Sequence, residues 1–477
     1  MAADAVQRAD AVPLVVDLDG TLLRTDTLHE GLLTLLRQRP LALAGLPRWI
    51  WQGRARLKQA VAERTRLALQ TLPWRADLLA QLQEERRRGR RLVLATGADA
   101  SIAEAVAAEL GLFDAVLASD GRHNLSADAK RDRLVATFGQ RGFDYVGNGS
   151  ADLPVWSAAR RAWLVATPPR LARQVRALTP VERVFDPLPA GLSTWLGAMR
   201  VQHWLKNLLL LVPLLAAHRL HDGAMLARTG VGVVCFSLAA SGVYLLNDLL
   251  DLDADRRHPH KRRRALAAGQ LRIAPALALV PLLWLAAAGL SAWLAPTLTG
   301  ALAAYTLLML AYSLGLKDLA LVDAFALALG YTLRIGAGAL AAGVEVSAWL
   351  LVGSMALFFG LALLKRYAEL VSRRVDDGPD LRVRAYRNSD ATLIAGLGIA
   401  SGGVAVAVLA LYPVVEPSGF ARWPVWCVCE LLLYWTGNLW LTAHRGGIHD
   451  DPVSFALRDP LSRVFGLLTL ALLMLTP

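Results

Sequence analysis

The chain has 477 residues, 55% of them apolar, and a net charge of +12; its mean hydropathy of +0.40 is high for a soluble protein. The basic charge does not indicate nucleic-acid binding, because Lys and Arg cluster in short loops beside long apolar runs. Three cysteines show neither zinc spacing nor a disulfide framework. The length allows two or three domains.

The first part of the chain, residues 1–183, mixes charged and apolar residues as a soluble domain does. Strands alternating with helices predict a parallel, Rossmann-like α/β sheet, whose ligands bind at the carboxyl ends of the strands. The predicted strands are 12–17, 90–97, 113–120, 143–149 and 161–167. Because no basic region and apolar signal core begin the chain, we expect this domain to stay in the cytoplasm.

A linker with Pro and Gly follows at 184–194, and residues 195–477 contain apolar runs of roughly 17 to 24 residues, long enough to cross a bilayer. They predict an all-α membrane domain of nine transmembrane helices, centred near residues 210, 237, 284, 306, 331, 357, 403, 433 and 467. With the N-terminal domain inside, the inside loops hold most of the Lys and Arg. The positive-inside rule therefore favours a multi-pass protein of the cell (inner) membrane, with its active sites on the cytoplasmic side.

The most charged stretch of this membrane domain is "NDLLDLDADRRHPHKRRRAL", which begins at Asn247. Asn247, Asp251 and Asp255 are spaced four apart, so on a helix they share one face, whereas Asp248 and Asp253 point elsewhere. Oxygen ligands on one face suit Mg²⁺, which typically binds one or two carboxylates together with substrate phosphates. A loop solvated by lipid headgroups, its acids paired with its arginines, is the alternative.

This stretch resembles the first motif of the UbiA superfamily of intramembrane prenyltransferases, Asn-Asp-x-x-Asp-x-x-x-Asp followed by His-Pro-x-Lys-x-x-Arg-Pro. The match extends to Lys261 and Arg264 for phosphate binding, and departs only at Ala265, where the family has Pro. The resemblance covers roughly residues 195–477. It implies Mg²⁺ at Asn247, Asp251 and Asp255, and a diphosphate donor.

Other segments resemble one branch of the superfamily, the polyprenyl-phosphate phosphoribosyltransferases. That resemblance implies 5-phosphoribosyl diphosphate as donor and polyprenyl phosphate as acceptor, and a donor with three phosphates needs many cationic contacts. The implied substrate-binding residues are Arg200, Gln202, Lys206, Asn207, Tyr312, Lys317, Asp323, Arg334, Lys365 and Arg366. Charges within a span are functional by default. An Asp323–Arg334 ion pair that only positions helices, and Lys365 with Arg366 as plain membrane anchors, remain alternatives.

In the first domain, "VVDLDGTLL" resembles motif one of the haloacid dehalogenase (HAD) superfamily of phosphohydrolases, over about residues 12–175. The resemblance implies Asp17 as nucleophile and Asp19 as general acid/base, with Thr96 and Lys130 as phosphate-binding residues. Mg²⁺ would be held by Asp17, Asp19 and Asp152. Where the family often has Asp in motif four this chain has Asn148, which leaves both an active phosphatase and a regulatory module open.

Two motif sets in one chain predict a relay: the transferase makes a lipid-linked 5-phosphoribose, and the phosphatase removes the 5-phosphate. Two alternatives remain, a UbiA-type prenyltransferase acting on an aromatic acceptor and a multi-span carrier with a regulatory first domain. Neither lipid length nor a homo-oligomer follows from the sequence, although a homo-oligomer is compatible with it.

Overall fold

The structure is a computed structural model, and it describes residues 12–345, 347–377, 382–383, 385–415, 422–448 and 452–474. The chain divides into two compact units. The first comprises Met1–Met199 with Tyr244–Leu279, and the second Arg200–Val243 with Val280–Pro477. The charged stretch after Asn247 therefore belongs to the first unit.

A parallel six-stranded sheet forms the centre of the first unit, in the order β3-β2-β1-β4-β5-β6. Its strands are β1 Leu14–Val16, β2 Leu92–Asp99, β3 Ala115–Ser119, β4 Asp144–Gly147, β5 Ala162–Val165 and β6 Val181–Phe185. The strand order reverses between β1 and β4, and ligands of such sheets bind at the carboxyl ends of the strands beside this reversal. The predicted α/β sheet and its five strands are confirmed.

Helices cover both faces of the sheet, and alternating residues of β1 show why. Leu14 and Val16 face one apolar core, and Val15 faces the other. The helices of 12–199 are α1 Thr27–Gln38, α2 Leu46–Trp51, α3 Arg54–Ala62, α4 Ala76–Arg87, α5 Ala100–Leu110, α6 Ala127–Phe138, α7 Leu153–Ala158, α8 Pro169–Leu178 and α9 Leu192–Ala198. A strand buried on both faces is apolar throughout, as β1 and β5 are.

Strand β6 corrects the predicted linker. Residues 184–194 were expected to be a linker, but Val184 and Phe185 complete β6, which pairs with β5. The strand alternates between partly buried and exposed residues because it lies at the edge of the sheet. Its apolar pattern is therefore weaker than that of the central strands.

Most of the remaining helices are long and apolar. They are α10 Val212–Ala216, preceded by a 3₁₀ segment Val201–Leu211, then α11 Gly223–Leu250, α12 Leu252–Arg257, α13 Ile273–Leu294, α14 Pro296–Leu314, α15 Val322–Ala342, α16 Ala348–Asp377, α17 Ala391–Val415, α18 Arg422–His444, α19 Pro452–Arg458 and α20 Pro460–Met474. Gly338 and Gly360 allow neighbouring backbone segments to approach closely, because glycine has no side chain. A Cβ at Gly338 would lie 2.0 Å from the Leu210 carbonyl oxygen, and one at Gly360 would lie 2.9 Å from the Gly398 carbonyl oxygen.

Six helices are long and apolar enough to cross a membrane within the described ranges. They are Gly223–Leu250, Ile273–Leu294, Pro296–Leu314, Val322–Ala342, Ala348–Ser372 and Asn388–Val415. The predicted spans near residues 210 and 467 fall on the shorter apolar helices Val201–Ala216 and Pro460–Leu473. Multiple membrane helices are therefore present, and the count of nine stays a prediction.

Candidate functional sites

The first candidate site lies where β1 ends. Asp17 follows β1 directly, and its two carboxylate oxygens accept hydrogen bonds from Lys130 Nζ at 2.7 Å and Thr21 Oγ1 at 2.9 Å. Lys130 comes from α6, is buried, and also donates to Tyr145 Oη at 3.0 Å. Burial lowers the pKa of Lys130, but the charges of Asp17 and Asp152 outweigh this, so the pKa is raised and the ammonium stays protonated.

Asp19 is held by hydrogen bonds from Thr27, the first residue of α1. Its Oδ1 accepts from the Thr27 backbone N–H at 2.8 Å and its Oδ2 from Thr27 Oγ1 at 3.3 Å. Burial, together with the charge of Asp26, raises the pKa of Asp19 to about 7. A carboxyl group with this pKa can both donate and accept a proton near neutral pH, which suits the predicted acid/base role.

Asp152 is the third carboxylate of this site, at the carboxyl end of β4. It accepts from Tyr145 Oη at 2.7 Å and from the backbone N–H groups of Asn148 and Gly149 at 3.0 and 3.1 Å. Lys130 Nζ lies 3.7 Å away. Burial and the charges of Asp152 and Asp17 raise the pKa of Tyr145 well above its usual value, so its hydroxyl remains a donor.

Thr96 lies on β2, fully buried, and its Oγ1 accepts from the Ala98 backbone N–H at 3.0 Å. A lysine that the sequence did not single out comes close to the same strand end. Lys58 Nζ donates to the Gly97 carbonyl oxygen at 2.5 Å and to Asn124 Oδ1 at 3.1 Å, and burial lowers its pKa. No motif marks Lys58, because α3 carries it to the sheet from an unrelated part of the sequence.

The donor chemistry of this site fits a hard divalent cation. Asp17 and Asp152 are two carboxylates that share the single ammonium of Lys130. No group of three Asp, Glu, His or Cys residues in the described ranges forms a complete metal cage. Mg²⁺ needs none, since it commonly takes one or two carboxylates and completes its shell with water and phosphate oxygens.

The second candidate site is the charged segment after α11. Arg264 Nη1 bridges two buried carboxylates, Asp248 Oδ1 at 3.1 Å and Asp255 Oδ2 at 2.7 Å. The expectation that Asp248 points away from the shared face was wrong. The helix breaks at Asp251, where φ is −98° and ψ is 13°, and this break changes the direction of the following turn.

Asp251 contacts a different arginine, Arg37 of α1, whose Nη1 lies 3.3 Å from Asp251 Oδ1. Further along the segment, Arg256 donates through Nη1 and Nη2 to both oxygens of Glu30 at 3.0 and 2.6 Å, and both side chains are buried. Thr71 Oγ1 also donates to Asp253 at 2.9 Å. Sequence spacing gave no signal for these contacts, which attach the segment to the α/β part of its own unit.

Asn247, Asp251 and Asp255 thus remain candidate Mg²⁺ ligands, but with different neighbours. The donor set of amide and carboxylate oxygens fits a hard cation, and Arg264 supplies one positive charge to the two carboxylates that it bridges. Lys261 is exposed and close in sequence. It begins a single turn, Lys261–Arg263, that leads to Arg264.

In the second unit a buried network surrounds Arg366 of α16. Its guanidinium contacts Asp323 Oδ2 at 2.5 Å, Glu369 Oε2 at 2.7 Å and Tyr312 Oη at 3.0 Å. Tyr386 Oη donates to the other oxygen of Asp323. The alternative of an Asp323–Arg334 ion pair was therefore wrong, because Asp323 pairs with Arg366. Arg366 is fully buried and is not a plain membrane anchor.

Arg334 belongs to a second network. It donates to Asn207 Oδ1 at 2.7 Å, to the Gly330 carbonyl oxygen at 2.9 Å and to Tyr305 Oη at 2.7 Å. Its guanidinium also stacks over the ring of Tyr305. The network holds Asn207 beside α15, and Asn207 in turn donates to Ser237 Oγ of α11.

The other predicted binding residues of this unit lie on several different elements. Lys206 Nζ lies 5.8 Å from the ring centre of Tyr331. Arg200 is half-buried with a positive φ of 54°, and Gln202 is exposed. Lys317 and Lys365 are half-buried.

An apolar cavity of about 350 Å³ also lies in the second unit. It is lined by side chains of several helices, among them Leu209, Ile335, Leu357, Val408 and Leu432. A cavity of this lining suits a hydrocarbon chain.

Comparison with known proteins finds a matching family for each part of the chain. The UbiA prenyltransferase family model matches residues 208–455, and the haloacid dehalogenase-like hydrolase model matches 14–157. Protein y4nM of Sinorhizobium fredii is 34% identical over 463 residues, covering 96% of this chain and 89% of that protein. Nodulation protein NoeC of Azorhizobium caulinodans is 36% identical over 277 residues (57% and 89%).

The decaprenyl-phosphate phosphoribosyltransferase of Mycobacterium tuberculosis is 32% identical over 286 residues, covering 57% of this chain and 90% of that enzyme. Both matching families are generally Mg²⁺-dependent. Taken with the acidic segment after Asn247 and the carboxylates at the end of β1, these matches show that the chain belongs to the UbiA prenyltransferase family and carries a haloacid dehalogenase-like domain at its N-terminus.

Proposed function

We propose that this chain is a polyprenyl-phosphate 5-phosphoribosyltransferase whose HAD-like domain removes the 5-phosphate from the product. The observation that carries the proposal is one chain holding two acidic phosphate-handling centres, Asp17 with Lys130 and Asp255 with Arg264. The similarity to decaprenyl-phosphate phosphoribosyltransferases supports the donor and the acceptor.

In the transfer step, an oxygen of polyprenyl phosphate attacks the anomeric carbon of 5-phosphoribosyl diphosphate, and the bond to diphosphate breaks. The lipid phosphate is already an anionic nucleophile, so the chain needs no strong base. Asn247, Asp251 and Asp255 would hold Mg²⁺, which when bound neutralises charge on the departing diphosphate. Arg264 and Lys261 would contact the remaining phosphate charge.

The buried networks of the second unit would hold its own polar side chains in fixed positions. Arg366 already contacts three protein oxygens, so we infer that it orients Asp323, Glu369 and Tyr312. Arg334 would orient Asn207 in the same way. Rigid placement of polar groups is itself a large part of catalysis. Arg200, Gln202, Lys206, Lys317 and Lys365 remain proposed phosphate contacts.

In the phosphatase step, Asp17 would attack the phosphorus of the 5-phosphate and the bond to the ribose 5-oxygen would break. Asp19 would protonate that departing oxygen. Water, deprotonated by Asp19, would then release phosphate from Asp17. Lys130 balances the charge of Asp17 and would bind a phosphate oxygen. Asn148 in motif four leaves its backbone N–H bonded to Asp152, so Asp152 keeps its position.

In the test, the purified protein is given Mg²⁺ and one of two substrate pairs. The first pair is 5-phosphoribosyl diphosphate with polyprenyl phosphate, and the second is prenyl diphosphate with an aromatic acid. We expect label from 5-phosphoribosyl diphosphate to enter polyprenyl phosphate, and no product from prenyl diphosphate with aromatic acids. The reverse result would favour the prenyltransferase alternative, and no transfer in either assay would favour a carrier. Inorganic phosphate should then be released by the wild type and not by Asp17→Asn.

We also propose that the protein is a multi-pass protein of the inner membrane with both centres on the cytoplasmic side. The charge bias of its loops supports this orientation. Cysteine-accessibility labelling of Lys261→Cys in intact and opened cells tests it, since labelling in intact cells would contradict it.

A further inference from the structure

A cavity of about 740 Å³ in the first compact unit opens beside the acid/base residue Asp19. All its lining residues belong to that unit. Its lining includes Asp19, Asn148 and residues 269–275, where α13 begins. The residues 273–275 of this lining are the first turn of α13, a helix that is long and apolar enough to cross a membrane.

Four arginines line this cavity, and two of them, Arg24 and Arg75, form no ion pair with a carboxylate in the part of the chain that the structure describes. Arg75 is only 6% exposed, and the Nε atoms of Arg75 and Arg24 are buried without a hydrogen-bond partner among the described residues. Neighbouring backbone bonds hold the pair together: Arg24 N–H donates to the Pro73 carbonyl and Arg75 N–H to the Leu22 carbonyl. Burial, followed by the charge of Arg24, lowers the pKa of Arg75. An unpaired buried charge is costly, so this arrangement indicates an anion site.

The segment 269–275 packs directly against Arg24. Gly269 has a φ of 66°, and a Cβ there would lie 2.6 Å from the Cβ of Arg24. Beyond it, Leu271 and Ile273 are buried, and Trp195 completes an apolar side of the cavity. The lining of the cavity therefore combines acidic, cationic and apolar side chains.

We propose that this cavity binds a lipid-linked phosphosugar, with its phosphate monoester at Asp17 and Asp19 and its lipid phosphodiester on Arg24 and Arg75. The hydrocarbon chain leaves along Leu271 and Ile273. A planar guanidinium binds two phosphate oxygens at once, which suits a diester anion at a fixed distance from the reacting monoester. This inference rests on the proposed function, because that function supplies a substrate with both groups.

The experiment uses full-length protein in neutral, phospholipid-free detergent and compares two substrates of the phosphatase. One is polyprenyl-phosphoryl 5-phosphoribose, and the other is p-nitrophenyl phosphate, which has no second phosphate. We expect Arg24→Gln and Arg75→Gln each to lower the ratio of the two kcat/KM values about ten-fold, chiefly through KM, because a charge-assisted contact is lost. Arg176→Gln removes one exposed charge from α8 and should leave the ratio unchanged.

Because Arg75 is deeply buried, the half-buried Arg24 provides the decisive variant if Arg75→Gln does not fold. A wild-type ratio in Arg24→Gln would overturn the inference. The diester of an ordinary phospholipid headgroup has the same chemistry, so binding to phosphatidylglycerol vesicles is measured in parallel. Weaker vesicle binding by Arg24→Gln together with a wild-type ratio would assign the arginines to headgroups and overturn the inference too.

The wild-type result separates this inference from the function on which it rests. If the wild type hydrolyses p-nitrophenyl phosphate but not the lipid-linked substrate, the proposed relay fails, and the cavity assignment with it. If it hydrolyses both and the arginine variants keep the wild-type ratio, only the cavity assignment fails.

Discussion

The two acidic centres hold their carboxylates in similar ways but on different supports. In each, one cation is shared by two acids: Lys130 lies between Asp17 and Asp152, and Arg264 lies between Asp248 and Asp255. The first pair follows two neighbouring strands of one sheet, β1 and β4. The second lies on a broken helix end.

This difference shows where each centre obtains its rigidity. Backbone pairing of β1 and β4 fixes the strand end that Asp17 follows, and a short turn after β4 holds Asp152 through bonds to the Asn148 and Gly149 N–H groups. The segment of Asp255 has no sheet behind it and is attached through side chains, above all by the buried Arg256–Glu30 pair. We therefore expect the first centre to be sensitive mainly to its own residues, and the second also to residues of α1.

The largest effect is expected from Asp17→Asn, which should lower phosphate release on the order of 10⁴-fold because the nucleophile is lost. Transfer to lipid should continue at the wild-type rate. Phosphate release and transfer are measured on the same purified sample. Asp186→Asn, an exposed acid, serves as control; equal phosphate release by Asp17→Asn and the wild type would refute the assignment.

Asp255→Asn should lower transfer about 10³-fold, because a proposed Mg²⁺ ligand and the stronger partner of Arg264 are weakened together. Asp253→Asn is the matched control in the same segment, since Asp253 is exposed. Transfer is followed by label entering lipid. Comparable losses in both variants would show that general charge, rather than the Asp255 position, matters.

Breaking the attachment of the second centre should cost less. Glu30→Ala leaves Arg256 buried without its counterion, which typically costs about 3 kcal/mol of unfolding free energy. The variant should also slow transfer, as Arg256 directly follows Asp255. Denaturant unfolding in detergent measures the first effect, and the exposed Glu63→Ala is the control.

A double-mutant cycle sharpens that result. Because Arg256→Ala removes the same pair, the double variant should be less destabilised than the sum of the two single variants. Strict additivity would show that Glu30 and Arg256 do not stabilise each other.

The last prediction concerns pH. Asp19 has a folded-state pKa of about 7, above its ordinary value of 3.8. Between these values the folded state binds more protons than the unfolded state, so unfolding free energy should fall as pH rises from about 4 to 7. The Tm of cation-free protein in chelator measures this slope, and Asp19→Asn should flatten it. An unchanged slope in the variant would contradict the raised pKa.

Prediction from the sequence succeeded where a pattern is local. Central strands such as β2 are short apolar runs between polar residues, and their ends placed Asp17 and Thr96 correctly at one edge of the sheet. It missed β6, an edge strand with alternating polar residues, and assigned the last two residues of that strand to the linker. It also failed at Asp248, because an ideal helix was assumed through a segment that breaks at Asp251.

The sequence alone determined the α/β domain, the apolar helices and the positions of both acidic motifs. Each of these depends on residues that are close together in the chain. The partner of each charge was decided only by tertiary structure. Arg256 meets Glu30 across 226 positions, and Arg334 meets Asn207 across 127. A buried charge must be neutralised or hydrogen-bonded, but any of several acids could satisfy that need, and only folding selects which one lies near enough.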